Sequence, residues 1–452
     1  MIIASALLGA LPFLLPQIFA EFIFIFLIPL FYLVATNHEL NFKEGFFWGL
    51  IFYSLYFFGL CILIMQHGSG PYRFFAGVFI IVYGALGAGC WFFLCYVLIG
   101  IFSKHLQDTY KSKMVCWIAG SWLYFWFVDR AFFSIFGFFE GDQLRFLLLP
   151  LAIRPQWLVI AQYLTRFGGL LLLLIFSASS ACFFIGDKKK SFFSVAFVCF
   201  LPFVAGWFYP RQEHQDPNFI STIACLIPSI EQKDPWLVHE HICELLTKCS
   251  DLRAVKTIIL PESSFQFPLE DWERNIAVWY NCIKRNDVYI ILGSHRRDDQ
   301  SIYNTLYVLH NCRIIQHYDK IHAMFFTERL PPLWSHLKET KNLFLKNTSP
   351  FCQGRKKRLP IFFSTLGFVR PYICSDLFFE PIASPRSKND TNTLLCLVND
   401  SWFSVGYIPD LMFLQAISKS LYEKCSILYV SYTKSEFIFQ DGFSTKLLTI
   451  LG

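Results

Sequence analysis

Apolar runs of membrane-crossing length fill the first part of the chain, and short apolar runs broken by polar turns fill the rest. A helix needs about 20 apolar residues to cross the hydrocarbon, because lipid offers no partner to a free backbone amide. Gly45 to Met65, Phe75 to Phe102, Met114 to Phe136, Trp157 to Ser177 and Ser191 to Tyr209 meet that requirement. The first 36 residues are apolar almost throughout but contain Pro12, Pro16 and Glu21, which predicts two short spans meeting near Glu21. A start without a basic region, and an apolar stretch that runs past a signal's length, speak against a cleaved signal peptide. The expectation is an N-terminal all-α transmembrane bundle of about seven spans over residues 1–209.

From Asn218 the period shortens. Thr257 to Leu260, Tyr289 to Leu292, Leu306 to Leu309, Ile314 to Tyr318, Phe368 to Ile373 and Leu394 to Val398 read as strands. Amphipathic helices are predicted over Trp236 to Cys249, Asp271 to Lys284 and Leu411 to Glu423. Strands alternating with helices imply an α/β layered domain over residues 218–452.

Composition sharpens this division. Only 20 of the 72 charged residues stand in the first 209 positions, so the first part has a membrane composition and the second a soluble one. The chain is 55% hydrophobic, which excludes a disordered protein. A net charge of +6 without clustering gives no argument for nucleic acid. Lys104, Lys111 and Lys113 share one loop and Lys188 to Lys190 another, two spans apart, so both fall on one face, which the excess of lysine makes cytoplasmic. Everything after Tyr209 then faces outward. Asp129, Arg130 and Arg166 fall within spans, where a functional charge, an interhelical ion pair and snorkelling to headgroups all remain open. Fifteen cysteines follow no disulfide spacing and include no CxxC pair; neither HExxH nor GxxxxGK[ST] occurs, so no metal, nucleotide or other cofactor is expected.

Three strand ends carry chemically capable side chains: Glu262, Lys320 and Cys374. A carboxylate beside a thiol supplies a general base, and an ammonium beside both favours the thiolate and stabilises an oxyanion. Such a trio suffices for acyl transfer through a thioester, although each residue taken singly also fits a structural role.

The residues around the trio resemble those of the carbon-nitrogen hydrolase (nitrilase) superfamily and, within it, the bacterial apolipoprotein N-acyltransferases. The matching pieces are Leu260-Pro261-Glu262-Ser263, Tyr318-Asp319-Lys320-Ile321-His322, Phe326-Thr327-Glu328 with Pro331, Tyr372-Ile373-Cys374, and Asn399-Asp400-Ser401-Trp402-Phe403, in the family's order. The resemblance implies an α-β-β-α nitrilase-like sandwich with Glu262, Lys320 and Cys374 as catalytic residues and Glu328 as support for Lys320, the alternative for Glu328 being a surface residue. It implies substrate-binding roles for Trp236, Ser375, Asp376, Asn399 and Trp402; helix-start packing is the alternative for Trp236. Phe325, Phe326 and Trp334 are either an apolar lid for acyl chains or ordinary core.

The implied reaction takes a fatty acyl chain from a phospholipid onto Cys374 and passes it to the free α-amine of a diacylglyceryl-cysteine lipoprotein. The partners are then membrane lipid and lipoprotein, and the location is the bacterial inner membrane with the catalytic domain on the periplasmic side. Departures from the family accompany this. Ser375-Asp376 stand where the family has Tyr-Glu, a histidine-rich stretch is replaced around Pro409 to Met412, and Thr433-Lys434 stand for an asparagine-glycine. The family also continues past Asp441-Gly442 into a final strand and another membrane helix. A membrane-anchored nitrilase-type amidase and a noncatalytic membrane scaffold are the competing functions.

Overall fold

The computed structural model describes all residues except 37, 68–71, 103–108, 126–147, 159–160, 186–188, 209–218, 229–233, 300, 324–327, 329–350, 355–359, 364–366, 379–392, 402, 404–406 and 452. Two compact units emerge: the first contains Met1–Pro210 and Phe403–Tyr422, and the second contains Arg211–Leu330, Asn347–Trp402 and Glu423–Gly452.

The first unit is helical. Its opening helix, Ile2–Leu14, stops at Leu15 because Pro16 brings no amide hydrogen to continue the ladder, and Pro16–Phe19 restarts the helix with proline in its first turn. A 3-10 turn, Ala20–Phe24, follows and carries Glu21, which pairs with Arg154 at 3.0 Å. The run expected to span from Gly45 to Met65 is divided at Phe57 into Phe42–Tyr56 and Phe58–His67. Asn41 caps the first of these in a capping box, accepting from the Lys43 amide at 2.8 Å while its own amide donates to Glu44 at 3.1 Å. Tyr72–Phe102, Tyr110–Leu123, Ala161–Ile185 and Lys189–Trp207 supply the other long helices.

Among the described residues three stretches are long and apolar enough to cross a membrane: Pro16–Ala35, Gly77–Phe102 and Gly168–Ile185. Ile2–Leu14 and Phe193–Gly206 are apolar but shorter. Three candidate spans, rather than the expected seven or so, are thus found among the described residues. The break at Phe57 leaves two short pieces of one run, and most of the run beyond Leu123 lies outside the described residues. Asp129 and Arg130 also lie outside them, as does the Arg166 side chain.

The second unit holds two sheets. In the larger, β13 (Leu448–Leu451), β1 (Ile223–Ile227), β2 (Thr257–Ile259) and β4 (Tyr289–Asp298) run parallel, and β5 (Ser301–His310) and β6 (Arg313–Asp319) continue antiparallel, with β3 (Phe265–Pro268) beside β4. The smaller sheet runs β12 (Ser444–Lys446), β11 (Ser435–Ile438), β10 (Ser426–Val430), β9 (Thr393–Leu397), β8 (Gly367–Ile373) and β7 (Ile361–Phe363), and its β8-β9-β10 centre is parallel. Parallel neighbours need crossovers, which Pro235–Lys248 and Glu273–Ile283 provide for β1, β2 and β4. These helices bury Ile242, Leu245, Leu246, Ile276 and Trp279 against Ile258, Ile290, Leu292 and Tyr307 of the sheet. The central strands are buried on both faces, which is why they read as unbroken apolar runs. The result is the α/β layered domain expected from the sequence.

Candidate active site

The chemically capable residues leave the ends of strands. Glu262 lies just past β2, Lys320 directly past β6, Cys374 directly past β8 and Asn399 just past β9. The segment bearing Glu262 continues along β4: Leu260 N donates to Ile291 O at 2.8 Å, and Gly293 N donates to Pro261 O at 3.1 Å. A Cβ on Gly293 would stand 2.5 Å from Glu262 Cα, so only glycine lets the backbone bring Glu262 this close to the sheet. Ser263 and Cys374 both adopt positive φ, at 54° and 45°. Non-glycine residues pay for that conformation in steric strain, which is often stored at sites where side-chain aim matters.

Glu262, Lys320 and Glu328 form one buried ionic cluster. Lys320 Nζ lies 2.9 Å from Glu262 Oε1 and 2.9 Å from Glu328 Oε2, with Lys320 only 2% exposed. Asn304 Nδ2 donates to Glu262 Oε1 and to Glu328 Oε1, each at 2.8 Å. The second oxygen of Glu262 accepts from the Asn399 backbone amide at 2.8 Å. Burial alone would drive Lys320 toward the neutral amine, but the two carboxylates outweigh it and hold the ammonium well above the usual lysine range. Burial pushes the Glu262 carboxyl above the ordinary carboxylate range despite the opposing pull of Lys320. Cys374 is also buried, and desolvation with the Glu262 charge holds its thiol well above the usual range while Lys320 draws it down. The thiol thus responds to Glu262, Lys320 and Glu328 together. Forming its thiolate requires a base, and Glu262, whose own proton affinity is raised, is among the charges acting on it.

Four of the five residues expected to bind substrate, Trp236, Ser375, Asp376 and Asn399, are among the described residues. Asp376 is fully buried: its Oδ2 accepts from Tyr318 OH at 2.9 Å and Ile373 N at 3.2 Å, and its Oδ1 accepts from His322 N at 2.9 Å. Ser375 Oγ donates to His322 O. Ser375 and Asp376 therefore tie the turn opened by Cys374 to the segment that follows Lys320. Asn399 supplies its amide to Glu262, and its Oδ1 accepts from Ser401 Oγ at 2.5 Å. Trp236 is 59% exposed at the start of its helix, with its ring 4.6 Å from that of Trp272. Trp402, Phe325, Phe326 and Trp334 lie outside the described residues. Where Thr433 replaces an expected asparagine, its hydroxyl donates to Asp400, which also accepts from Tyr432 N at 3.0 Å. Asn304 was not foreseen: a polar residue inside a strand gives no apolar signal, and its role is visible only once β5 lies beside Glu262. Among the described residues no group of His, Cys, Asp and Glu is arranged to hold a metal ion.

Part of the chain is similar to known proteins. Residues 224–436 match the carbon-nitrogen hydrolase family, and this part of the chain is a carbon-nitrogen hydrolase domain. Among solved structures, XC1258 from Xanthomonas campestris, a CN-hydrolase superfamily protein with an arsenic adduct in the active site, is 17% identical, covers 49% of this chain and 83% of its own, and has a TM-score of 0.35. An amidase from Nesterenkonia sp. is 12% identical over 50% of this chain and 86% of its own, with a TM-score of 0.35. No curated protein matches the sequence.

Proposed function

We propose that the chain is a membrane-bound acyltransferase of the apolipoprotein N-acyltransferase type. In this reading residues 1–209 form its membrane domain and residues 218–452 its catalytic domain, facing the periplasm of a bacterial inner membrane. The observation that carries the reading is the buried Glu262–Lys320–Glu328 cluster acting on the thiol of Cys374. Stretches apolar enough to cross a membrane in the same chain support a lipid as acyl donor, as do the motifs shared with the acyltransferases.

In the first half-reaction Glu262 takes the thiol proton, and Cys374 Sγ attacks the ester carbonyl of a phospholipid. Lys320 stabilises the tetrahedral oxyanion. The C–O bond breaks, the lysophospholipid oxygen leaves with the proton held by Glu262, and a thioester remains. In the second half the neutral α-amine of a diacylglyceryl-cysteine attacks that thioester, Glu262 receives the amine proton, and the C–S bond breaks. The proton then returns to Cys374, and an amide product leaves. One nucleophile serving two substrates in turn gives ping-pong kinetics.

The test is incubation with acyl-labelled phospholipid, with and without a diacylglyceryl lipopeptide bearing a free amine. The transferase forms a labelled protein that the lipopeptide discharges, and Cys374→Ser abolishes both steps. Cleavage of small amides without lipid labelling identifies an amidase instead, and neither activity identifies a scaffold.

A further inference from the structure

The amide of Asn304 touches both carboxylates that share Lys320. Its single nitrogen gives one hydrogen bond to Glu262 Oε1 and one to Glu328 Oε1, and its backbone oxygen accepts from Lys320 N at 2.8 Å. One residue of β5, 3% exposed, is therefore bonded to all three members of the cluster. Charge makes this placement consequential. Two carboxylates around one ammonium carry a net negative charge in a site that water does not screen, and the electrostatic answer is for one of them to keep a proton. A neutral group with two N–H bonds opposes this, because it stabilises both anions without adding charge.

We propose that Asn304 is a positioning residue that keeps Glu262 and Glu328 together as anions on Lys320, so that Glu262 is available as a base toward Cys374. The inference rests on the reading of Glu262 as that base. Other titratable groups acting on the pair are Cys374 and Tyr432 near Glu262 and His295 near Glu328, the last standing opposite Asn304 in the β4–β5 ladder. Burial holds His295 down at about 4, so it brings no positive charge to Glu328 near neutral pH. Removing the amide donor raises the proton affinity of Glu262 further. Thiol and carboxylate share one titration, so the reactive state of Cys374 then appears at higher pH.

The experiment measures alkylation of Cys374 by iodoacetamide against pH, on the full chain in detergent micelles, read by mass spectrometry of the Cys374 peptide. In Asn304→Ala the acid limb of the profile moves up by about one pH unit, which is a rate about tenfold lower at a pH on that limb. Asn304→Ser, whose hydroxyl donates to one carboxylate only, moves it less. Profiles that superimpose on the wild type overturn the proposal, as does a uniform loss of rate with the limb unmoved. A parallel arm measures the acyl adduct formed from phospholipid by the wild type. Its absence removes the acyltransferase reading, while the alkylation limbs still decide the role of Asn304.

Discussion

Replacing Lys320 by methionine removes the ammonium from a buried cluster that keeps its two carboxylates. Both ion-pair contacts are 2.9 Å and all three side chains are under a tenth exposed, so solvent screens little of the loss. Breaking a buried pair by deleting one partner costs about 3–5 kcal/mol, because a charge is left without compensation. For a domain of this size about 1 kcal/mol moves the melting temperature by roughly 2–4 °C, so a fall of roughly 6–20 °C is expected. The loss depends on pH with a definite sign. In the wild type the raised Lys320 value means its contribution is fully present below the unfolded lysine value and is lost only as pH rises through the still higher folded one. It is therefore constant between pH 5 and 8. In Lys320→Met the two carboxylates meet on Asn304 without a counter-charge, and one of them holds a proton in the folded state. A carboxyl with a raised folded value stabilises below its unfolded value, about 4.3, and loses that contribution as pH rises. The variant should lose more stability at pH 8 than at pH 5, and Lys320→Met/Glu328→Gln should recover part of the loss at pH 8. Thermal unfolding in one detergent at a fixed scan rate measures all of this. An unchanged melting temperature, or a deficit equal at both pH values, refutes the reasoning.

Further expectations concern the surroundings of the cluster. Gly293→Ala places a Cβ 2.5 Å from Glu262 Cα and from Ser263 N, so it should cost about 1–3 kcal/mol and slow acylation of Cys374; a denaturant midpoint and an acylation rate equal to the wild type contradict this. Asp376→Asn turns an N–H2 toward donors that now meet an oxygen, and should cost about 1–3 kcal/mol in a urea titration; an unshifted midpoint removes Asp376 as the tie between the Lys320 and Cys374 segments. Because burial raises the Glu262 carboxyl, acylation should fall as pH drops through a value above the ordinary glutamate value of about 4.3; a pH–rate profile still flat below 4.3 shows that Glu262 does not titrate in that step.

Much of the α/β domain was legible because its central strands are buried on both faces. Thr257 to Leu260, Phe368 to Ile373 and Leu394 to Val398 lie within a residue of β2, β8 and β9 at each end. The β4–β5 hairpin is longer than its apolar signal. Tyr289 to Leu292 are its hydrophobic part, and His295 to Asp298 extend it as polar residues paired with Ser301 to Asn304. Backbone pairing sustains a strand past the edge of the core, where alternation carries no information. In the first unit an apolar run marks helical residues but not where a helix breaks, as the interruption at Phe57 illustrates. The residue types Glu262, Lys320 and Cys374 were legible as capable chemistry at strand ends. Asn304 and the binding of Asp376 to Tyr318 and His322 depend on contacts between strands far apart in sequence, and local patterning does not register them.

The proposed reaction places the acyl chain of a membrane phospholipid on Cys374. Peptide-level mass spectrometry after incubation with a phospholipid of defined acyl chains tests it most directly. The Cys374 peptide should gain the mass of that acyl group, which hydroxylamine should release as from a thioester and which should be missing in Glu262→Gln. An unmodified Cys374 peptide, or the acyl group on a different cysteine, contradicts it.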